Sequence, residues 1–262
     1  MNNPLNISIL GTGNVARHLA LRFFQAGIPV NMVYGRSASK ASELAQMVGA
    51  LSSDSIKMIP RESNILFLCV SDDAIEELAG EIPNPEITVV HTSGSVPLSL
   101  LLAYHRNAGV FYPFQSLSSE VDQGQVSLPV SLEASNEAVM EQLLFLARKI
   151  TDKIVTLNST ERMHLHLAGV MANNFSNHLF ARVFDFLEQH NLDSGLLHPL
   201  LEETFRKIKA HHPRDMQTGP ARRGDVKIVK KHIDLLTGNH ELQKIYSLLS
   251  NSITDYYSRM PL

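Results

Sequence analysis

The sequence predicts an α/β fold, in which a Rossmann-type, mostly parallel sheet comes first and an all-α domain follows. In the first half of the chain, short apolar runs alternate with apolar residues at helical spacing, which is typical of stacked βαβ units. A glycine-rich turn directly follows the first apolar run. After Leu157 every periodic segment is helical. We therefore expect a Rossmann domain over residues 1–157 and a helical domain over residues 158–262, with Ser159 or Thr160 as the helix cap.

The predicted strands are short and apolar. The clearest one covers residues 65–70, where six consecutive apolar residues suit a strand that is covered on both faces. Strands are expected at residues 7–10, 30–34, 65–70, 88–91, 110–112, 130–132 and 153–157. The helices follow from apolar residues three and four positions apart. Helices are expected at about 15–26, 41–48, 97–103, 136–149, 160–190, 194–210, 224–236 and 240–260.

The composition is that of an ordinary globular protein. Of the 262 residues, 44% are hydrophobic and 19% are charged, and the formal net charge is −3, which gives no reason to expect nucleic acid or an anionic membrane as a partner. Cys69 is the only cysteine, so the chain has no internal disulfide and no cysteine-based metal site, as expected in a reducing cytoplasm. The first residues lack the features of a signal peptide, and no apolar stretch is long enough to span a membrane.

The glycine-rich turn has the spacing G-x-G-x-x-A and consists of Gly11, Thr12, Gly13, Asn14, Val15 and Ala16. It lies between the first strand and the first helix, which is the context that a dinucleotide-binding fingerprint requires. The first glycine permits a tight turn, the second lets the backbone approach a pyrophosphate, and the helix N-terminus attracts the phosphates. The alternative is a purely structural turn; the context favours dinucleotide binding.

The residues after the second strand favour NADP over NAD. An NAD site usually carries an acidic residue about 20 positions after the glycines, and here no acidic residue precedes Glu43. Instead, Gly35, Arg36 and Ser37 end the strand, and an arginine can form a forked, charge-assisted contact with the additional ribose phosphate. The alternative is that Arg36 is a solvated surface residue.

Two further polar clusters follow strands at the carboxyl edge of the sheet, where ligands of such folds bind. Val70, Ser71 and Asp72 are expected beside the cofactor, although Asp72 or Asp73 also suits a helix cap. The second cluster, expected to contact the substrate, consists of His91, Thr92, Ser93 and Gly94. A capped turn into the next helix is the alternative for this cluster. Tyr112 ends the following strand and can line the same cleft.

The helical domain offers candidate catalytic residues. His166, Asn173 and Asn174 are seven and eight positions apart, on one face of a regular helix. A histidine that titrates near neutral pH can protonate a carbonyl or imine as hydride arrives, and an asparagine can orient the substrate. The alternative is that all three are interfacial residues.

Arg223 lies in a turn-rich segment, where it either binds a substrate carboxylate or phosphate or is solvated beside a rigid turn. The histidines of the chain lack the spacing of a helical metal pair, so we expect no metal.

Together these segments resemble a known family. The glycine turn, residues 35–37, 71–75, 91–94, 166–175 and 218–225 are similar to a bacterial group that pairs a Rossmann-like domain with a C-terminal helical domain of unknown function. More distantly, the layout resembles the 6-phosphogluconate dehydrogenase-like superfamily. That resemblance implies a helical dimerisation domain, a homodimer, and an active cleft between the two domains.

One departure from that superfamily affects the expected chemistry. The β-hydroxyacid dehydrogenases place an acid/base lysine one helical turn before an asparagine, and if Asn174 is that asparagine, Val170 occupies the lysine position. No lysine lies between Lys153 and Lys207. The sequence therefore predicts an NADP-dependent oxidoreductase of a small, anionic carbonyl or imine compound that works without this lysine. The competing hypothesis is a non-catalytic NADP-binding sensor or regulatory protein.

Overall fold

The computed structural model describes residues 5–84, 86–118 and 127–258. Two compact units divide the chain, residues 1–174 and residues 175–262. By compactness, the helix that starts at Ser159 therefore lies with the sheet. The expected domain boundary after Leu157 stays a prediction.

The first unit contains one sheet of eight strands among the described residues. The strands are β1 (Ile7–Leu10), β2 (Val30–Tyr34), β3 (Leu51–Ser53), β4 (Ile65–Leu68), β5 (Thr88–His91), β6 (Ala108–Pro113), β7 (Val130–Ala134) and β8 (Ile154–Thr156). Their spatial order is β3-β2-β1-β4-β5-β6-β7-β8. Neighbours are parallel except for β6 and β7, which are antiparallel. The predicted α/β fold with a mostly parallel sheet is confirmed.

Six helices accompany the sheet in the described part of the first unit. They are α1 (Asn14–Gln25), α2 (Ala38–Val48), α3 (Asp72–Glu81), α4 (Leu98–Leu102), α5 (Glu137–Ile150) and α6 (Ser159–Gly169). Helix α6 begins with a capping box, in which the Asn158 side chain accepts from the Glu161 backbone and the Glu161 side chain accepts from the Asn158 backbone. The expected cap at Ser159 or Thr160 was therefore wrong by one or two positions.

Buried apolar residues cover both faces of the sheet. On one face, the rings of Phe23, Phe67 and Phe111 pack with centroids 5.3 to 5.9 Å apart. On the other face, Leu66, Leu68 and their neighbours form a second cluster. The parallel strands are thus fixed on both sides, and the loops that follow them are held at one edge of a rigid sheet.

The second unit is helical. It contains α7 (Ser176–Gln189), α8 (His198–Ala210), α9 (Pro220–Arg223), α10 (Val226–Leu235) and α11 (His240–Ser258). The predicted end of the last helix at Met260 lies outside the described residues. A π-helix over Val170–Phe175 joins α6 to α7, where the sequence predicted one uninterrupted α-helix. No helix among the described residues is long and apolar enough to cross a membrane.

This unit buries few of its side chains. None of the residues of α7, α8 or α10 is buried. The described residues that are buried here are Ala221, Leu236, Leu242, Ser250 and Tyr257. The second unit therefore has a much smaller core than the first.

Candidate active site

An open cleft of about 820 Å³ lies at the carboxyl ends of β1, β2 and β4. Every residue that the sequence predicted for the cofactor lines it: Gly11, Thr12, Gly13, Asn14, Val15, Gly35, Arg36, Ser37, Val70, Ser71 and Asp72. Thr92 and Ser93, which were expected at the substrate, line it as well. Residues from four separate segments of the sequence, 11–15, 35–37, 70–72 and 92–93, therefore meet in one cleft.

The two glycines of the turn have different surroundings. Gly11 has a φ of +128°, and a Cβ there would lie 2.0 Å from the carbonyl oxygen of Cys69, so the protein itself requires glycine. A Cβ on Gly13 would meet no described atom within 4 Å. Gly13 is also the N-cap of α1 and supplies no side-chain cap, so the first N–H groups of the helix are available to an anion. The space beside Gly13 suits a phosphate.

A basic corner adjoins this turn. Arg36 and Lys40 both line the cleft, and neither forms an ion pair with a described residue. Gly35 brings this corner close to the turn, since a Cβ on Gly35 would lie 2.6 Å from Cγ2 of Thr12. The cleft thus combines a free helix N-terminus with nearby cationic side chains.

Hydrogen bonds connect the two polar clusters at the sheet edge. The Asp72 carboxylate accepts from the Ser95 hydroxyl, and the hydroxyl oxygens of Ser93 and Ser95 are 3.1 Å apart. The Ser93 oxygen also accepts from the backbone N–H groups of Ser95 (3.0 Å) and Val96 (3.1 Å). These bonds fix the loop after β5 against the start of α3.

His91 lies inside the protein, which differs from the expected contact with substrate. Its side chain is fully buried, and Nδ1 accepts from the backbone N–H of Ser93 at 3.2 Å. Burial, and after it the positive charge of Arg162, lower the pKa of His91 to about 3, whereas the charge of Asp72 opposes the shift. A neutral His91 therefore supports the loop that carries Ser93 from within.

His166 lies beside the loop that follows β5. A Cβ on Gly94 would be only 2.6 Å from Nδ1 of His166, so only glycine leaves room for this ring. The same Nδ1 is 3.0 Å from the hydroxyl oxygen of Tyr112, within hydrogen-bond distance. Burial raises the pKa of Tyr112, partly offset by the charge of Arg162, so the phenol keeps its proton at neutral pH. The imidazole of His166 and the phenol of Tyr112 thus lie together beside Gly94, the residue that follows Ser93 of the cleft.

The other predicted residues lie on exposed segments. Asn173 and Asn174 belong to the π-helix and are exposed, and Arg223 is the exposed last residue of α9 in the second unit. None of the three has a side-chain hydrogen bond or ion pair with a described residue. Their predicted roles stay predictions.

Sequence reasoning missed three residues of α6 and β7 that support the site. Arg162 is fully buried, forms an ion pair with Glu133, and donates to the carbonyl of Val96. Ser159 donates to the same carboxylate. The one available signal was the spacing of four between Arg162 and His166, which places both on one face of a helix.

Comparisons with known proteins agree with this arrangement. Residues 6–93 match the model of a family described as NADP oxidoreductase, coenzyme F420-dependent. Residues 128–253 match a domain of unknown function, DUF2520. No curated protein matches the chain.

Solved structures extend the likeness over nearly the whole chain. A protein described as a candidate NADP oxidoreductase from Bacteroides fragilis is 32% identical over 96% of this chain and 98% of that chain, with a TM-score of 0.89. A protein from Thermotoga maritima (21% identity, 96% and 98% covered, TM-score 0.71) shares the fold. So does a pyrroline-5-carboxylate reductase from Coxiella burnetii (16% identity, 98% of each chain covered, TM-score 0.60). The predicted family resemblance and the predicted cofactor, NADP, are confirmed.

Proposed function

The chain belongs to the family in which a Rossmann domain of the NADP oxidoreductase type is followed by a DUF2520 domain, and we propose that it transfers hydride between NADP and a small, anionic carbonyl or imine compound. The observation that carries this proposal is the position of His166. Its ring packs on Gly94, next to Thr92 and Ser93 of the cofactor cleft. A group that can give or take a proton thus lies beside the place where hydride would be transferred.

We assign the two ends of the dinucleotide from charge. The diphosphate binds at Gly11–Val15, where the first N–H groups of α1 point to it. Arg36 and Ser37 bind the additional ribose phosphate of NADP, because a guanidinium donates two parallel hydrogen bonds to a phosphate. Val70, Ser71 and Asp72 lie along the remaining wall of the cleft. When bound, the cofactor supplies or accepts the hydride.

The protein supplies orientation and a proton. His166 protonates the substrate oxygen or nitrogen during reduction, and Tyr112 holds the imidazole through Nδ1. Asn173 and Asn174 orient the substrate, and Arg223 pairs with its anionic group. Thr92, Ser93 and Gly94 form the floor beneath the substrate, and His91 supports that floor from inside.

The cofactor assignment is tested by calorimetry with NADPH and NADH. Arg36→Ala should weaken NADPH binding much more than NADH binding, because the guanidinium contacts only the phosphate that NADPH carries. Equal losses for both cofactors would contradict the assignment.

The catalytic assignment is tested by NADPH oxidation with a panel of carbonyl and imine compounds. His166→Gln should abolish turnover and leave NADPH affinity unchanged. His164→Gln is the matched control, because His164 is exposed on the same helix and has no described side-chain partner. If His166→Gln loses NADPH binding instead, the residue is structural.

The second candidate function is a non-catalytic NADP sensor. The absence of a lysine between Lys153 and Lys207 favours it, since the related dehydrogenases use a lysine for proton transfer. Tight NADPH binding without oxidation by any compound of the panel would support the sensor. Substrate-stimulated oxidation that depends on His166 would exclude it.

We further propose that two copies of the chain associate through their helical units. A groove of about 480 Å³ in this unit is lined mostly by apolar side chains of α7, α10 and α11, together with residues 218–221. Leu196, Leu235 and Leu248 are 73%, 65% and 70% exposed. Apolar surface of this extent is stabilised when another protein surface covers it.

The proposed location is the cytoplasm, where a chain with a single thiol needs no disulfide.

A further inference from the structure

Helix α6 carries three polar residues on one face. Ser159, Arg162 and His166 are spaced three and four positions apart, so their side chains form a stripe along the helix. We call this set the α6 stripe. Only its third member has a role in the proposed reaction.

The α6 stripe packs along the segment that follows β5. The Ser159 hydroxyl accepts from the backbone N–H of Leu98 at 3.0 Å, and Arg162 donates to the carbonyl of Val96. His166 contacts Gly94. Alternate residues of 94–98 therefore contact successive residues of the α6 stripe, in the opposite chain direction.

The anchor of this arrangement is an ion pair. Arg162 has no exposed side-chain surface, and its guanidinium pairs with Glu133 on β7. The same carboxylate accepts from the backbone N–H of Ser159 at 3.0 Å and from its hydroxyl at 2.9 and 3.0 Å. A buried guanidinium is tolerated only when its charge is paired, and here Nη1 pairs with Glu133 and Nη2 donates to Val96, whereas Nε has no partner among the described residues. The ion pair with Glu133 fixes the first turn of α6 to the sheet.

We propose that Arg162 is a positioning residue, which together with Glu133 and Ser159 holds His166 against Tyr112 and Gly94 at the end of the cofactor cleft. This inference rests on the proposed function of His166 and adds the part of the fold that sets its position. Arg162 itself lies too deep to touch a ligand. A displacement of about 1 Å at a catalytic group can reduce a rate by about 100-fold, so a rigid anchor has a direct consequence for turnover.

The alternative is that Arg162 stabilises the fold and nothing else. The two possibilities differ in the state of the His166 ring in protein that remains folded. If Arg162 positions the ring, weakening the anchor breaks the contact between Tyr112 and His166 without changing the cofactor cleft. If Arg162 only stabilises, every folded variant keeps that contact.

The experiment uses the full-length protein and follows the nitrogen-15 and ring-proton signals of His166 by NMR, with Tyr112→Phe as the reference for a lost contact. The variants are Arg162→Lys, Ser159→Ala and Arg162→Met. Arg206→Met is the control, because it removes an arginine from an exposed ion pair with Glu203. NADPH affinity is measured by calorimetry for each protein.

We expect folded Arg162→Lys and Ser159→Ala to give His166 signals that move towards those of Tyr112→Phe, with NADPH affinity unchanged. With any substrate found in the panel, kcat should fall by about 100-fold while the KM for NADPH stays constant. Arg206→Met should match the original protein in every measurement. If Arg162→Met fails to fold, the two milder variants decide.

Folded variants with unaltered His166 signals would overturn the inference. The NMR measurement needs no cofactor or substrate, so it stays informative even if the protein neither binds NADPH nor turns over any compound. In that case the proposed function is wrong, and the NMR signals of His166 alone decide whether Arg162 positions this ring.

Discussion

The two units of this protein bury their apolar side chains to very different extents. In the sheet unit, every residue of β1, β4 and β5 is buried, and three phenylalanines pack together on one face. In the helical unit, α7, α8 and α10 have no buried residue, although each has an apolar side. The first unit therefore has a complete core of its own, whereas the second leaves the apolar sides of its helices uncovered.

The largest loss of stability is expected for a core residue of the sheet unit. Phe67→Ala should reduce the free energy of unfolding by about 3–5 kcal/mol, because it leaves a cavity among buried rings. Leu248→Ala in α11 should reduce the free energy of unfolding of the monomeric chain by less than about 1 kcal/mol, since this side chain is 70% exposed. Denaturant unfolding at low protein concentration measures both. Similar losses for the two variants would contradict the comparison.

A second prediction extends the comparison to ionisable groups. The pKa of His91 is lowered from 6.5 to about 3 in the folded sheet unit, mainly by burial. The unfolded chain therefore binds a proton first as the pH falls, so the stability that neutral His91 contributes is full above pH 6.5 and is lost between pH 6.5 and 3. The loss is roughly 1.4 kcal/mol for each pKa unit of the shift.

Denaturant unfolding as a function of pH checks this loss. His91→Gln should lower stability at neutral pH and flatten the slope between pH 6.5 and 3. The control is His164→Gln, which should leave the slope of the original protein, because the His164 side chain is exposed and has no partner among the described residues. An unchanged slope in His91→Gln would show that another group causes the loss.

A third prediction compares two glycines of the sheet unit, in order to separate cofactor binding from proton transfer. An added methyl group at Gly13 enters open space in the cleft, whereas one at Gly94 meets His166 at 2.6 Å and Tyr112 at 2.8 Å. Gly13→Ala should weaken NADPH binding about tenfold, because the methyl group occupies space needed by the diphosphate.

Gly94→Ala should instead keep NADPH affinity and lower kcat by about 100-fold, because the imidazole is displaced. Calorimetry and steady-state kinetics on both variants separate the two effects. The prediction fails if the two substitutions change the same parameter.

The smallest expected effect concerns the surface that the helical unit leaves uncovered. Leu248→Asp should weaken self-association by about 1 kcal/mol, because a carboxylate would have to be buried in the contact. Asn251→Asp is the control, since it adds the same charge three residues further along α11 on an already polar, exposed position. Sedimentation velocity over a dilution series compares the two. Equal dissociation of both variants would argue against a specific contact at Leu248.

Much of the sheet unit follows from its sequence, because strand and helix periods and the glycine turn are local signals. Strand β3 was missed because Leu51, Ser52 and Ser53 are neither an apolar run nor buried. The side of the strand that His91 faces was also not predictable, since a polar residue at a strand end suits either the cleft or the interior.

The support of the candidate site could not be predicted for a different reason. Arg162 and Glu133 are 29 positions apart, and an arginine on a helix normally indicates a solvated face. Their pairing depends on the packing of α6 against β7, which no local pattern encodes. Likewise, no local pattern in residues 170–175 distinguishes the wider turn from a regular helix.

That wider turn changes which position of this helix corresponds to the lysine of the β-hydroxyacid dehydrogenases, to which the sequence is distantly similar. In a regular helix the backbone hydrogen bonds join Asn174 to the position four earlier, Val170; in a π-helix they join positions five apart, which leads to Gly169. Gly169 lies against Phe114, whose ring leaves no space for even a methyl group. With either spacing, the position before Asn174 holds no amine, so the lysine of the β-hydroxyacid dehydrogenases has no counterpart at this point of the helix.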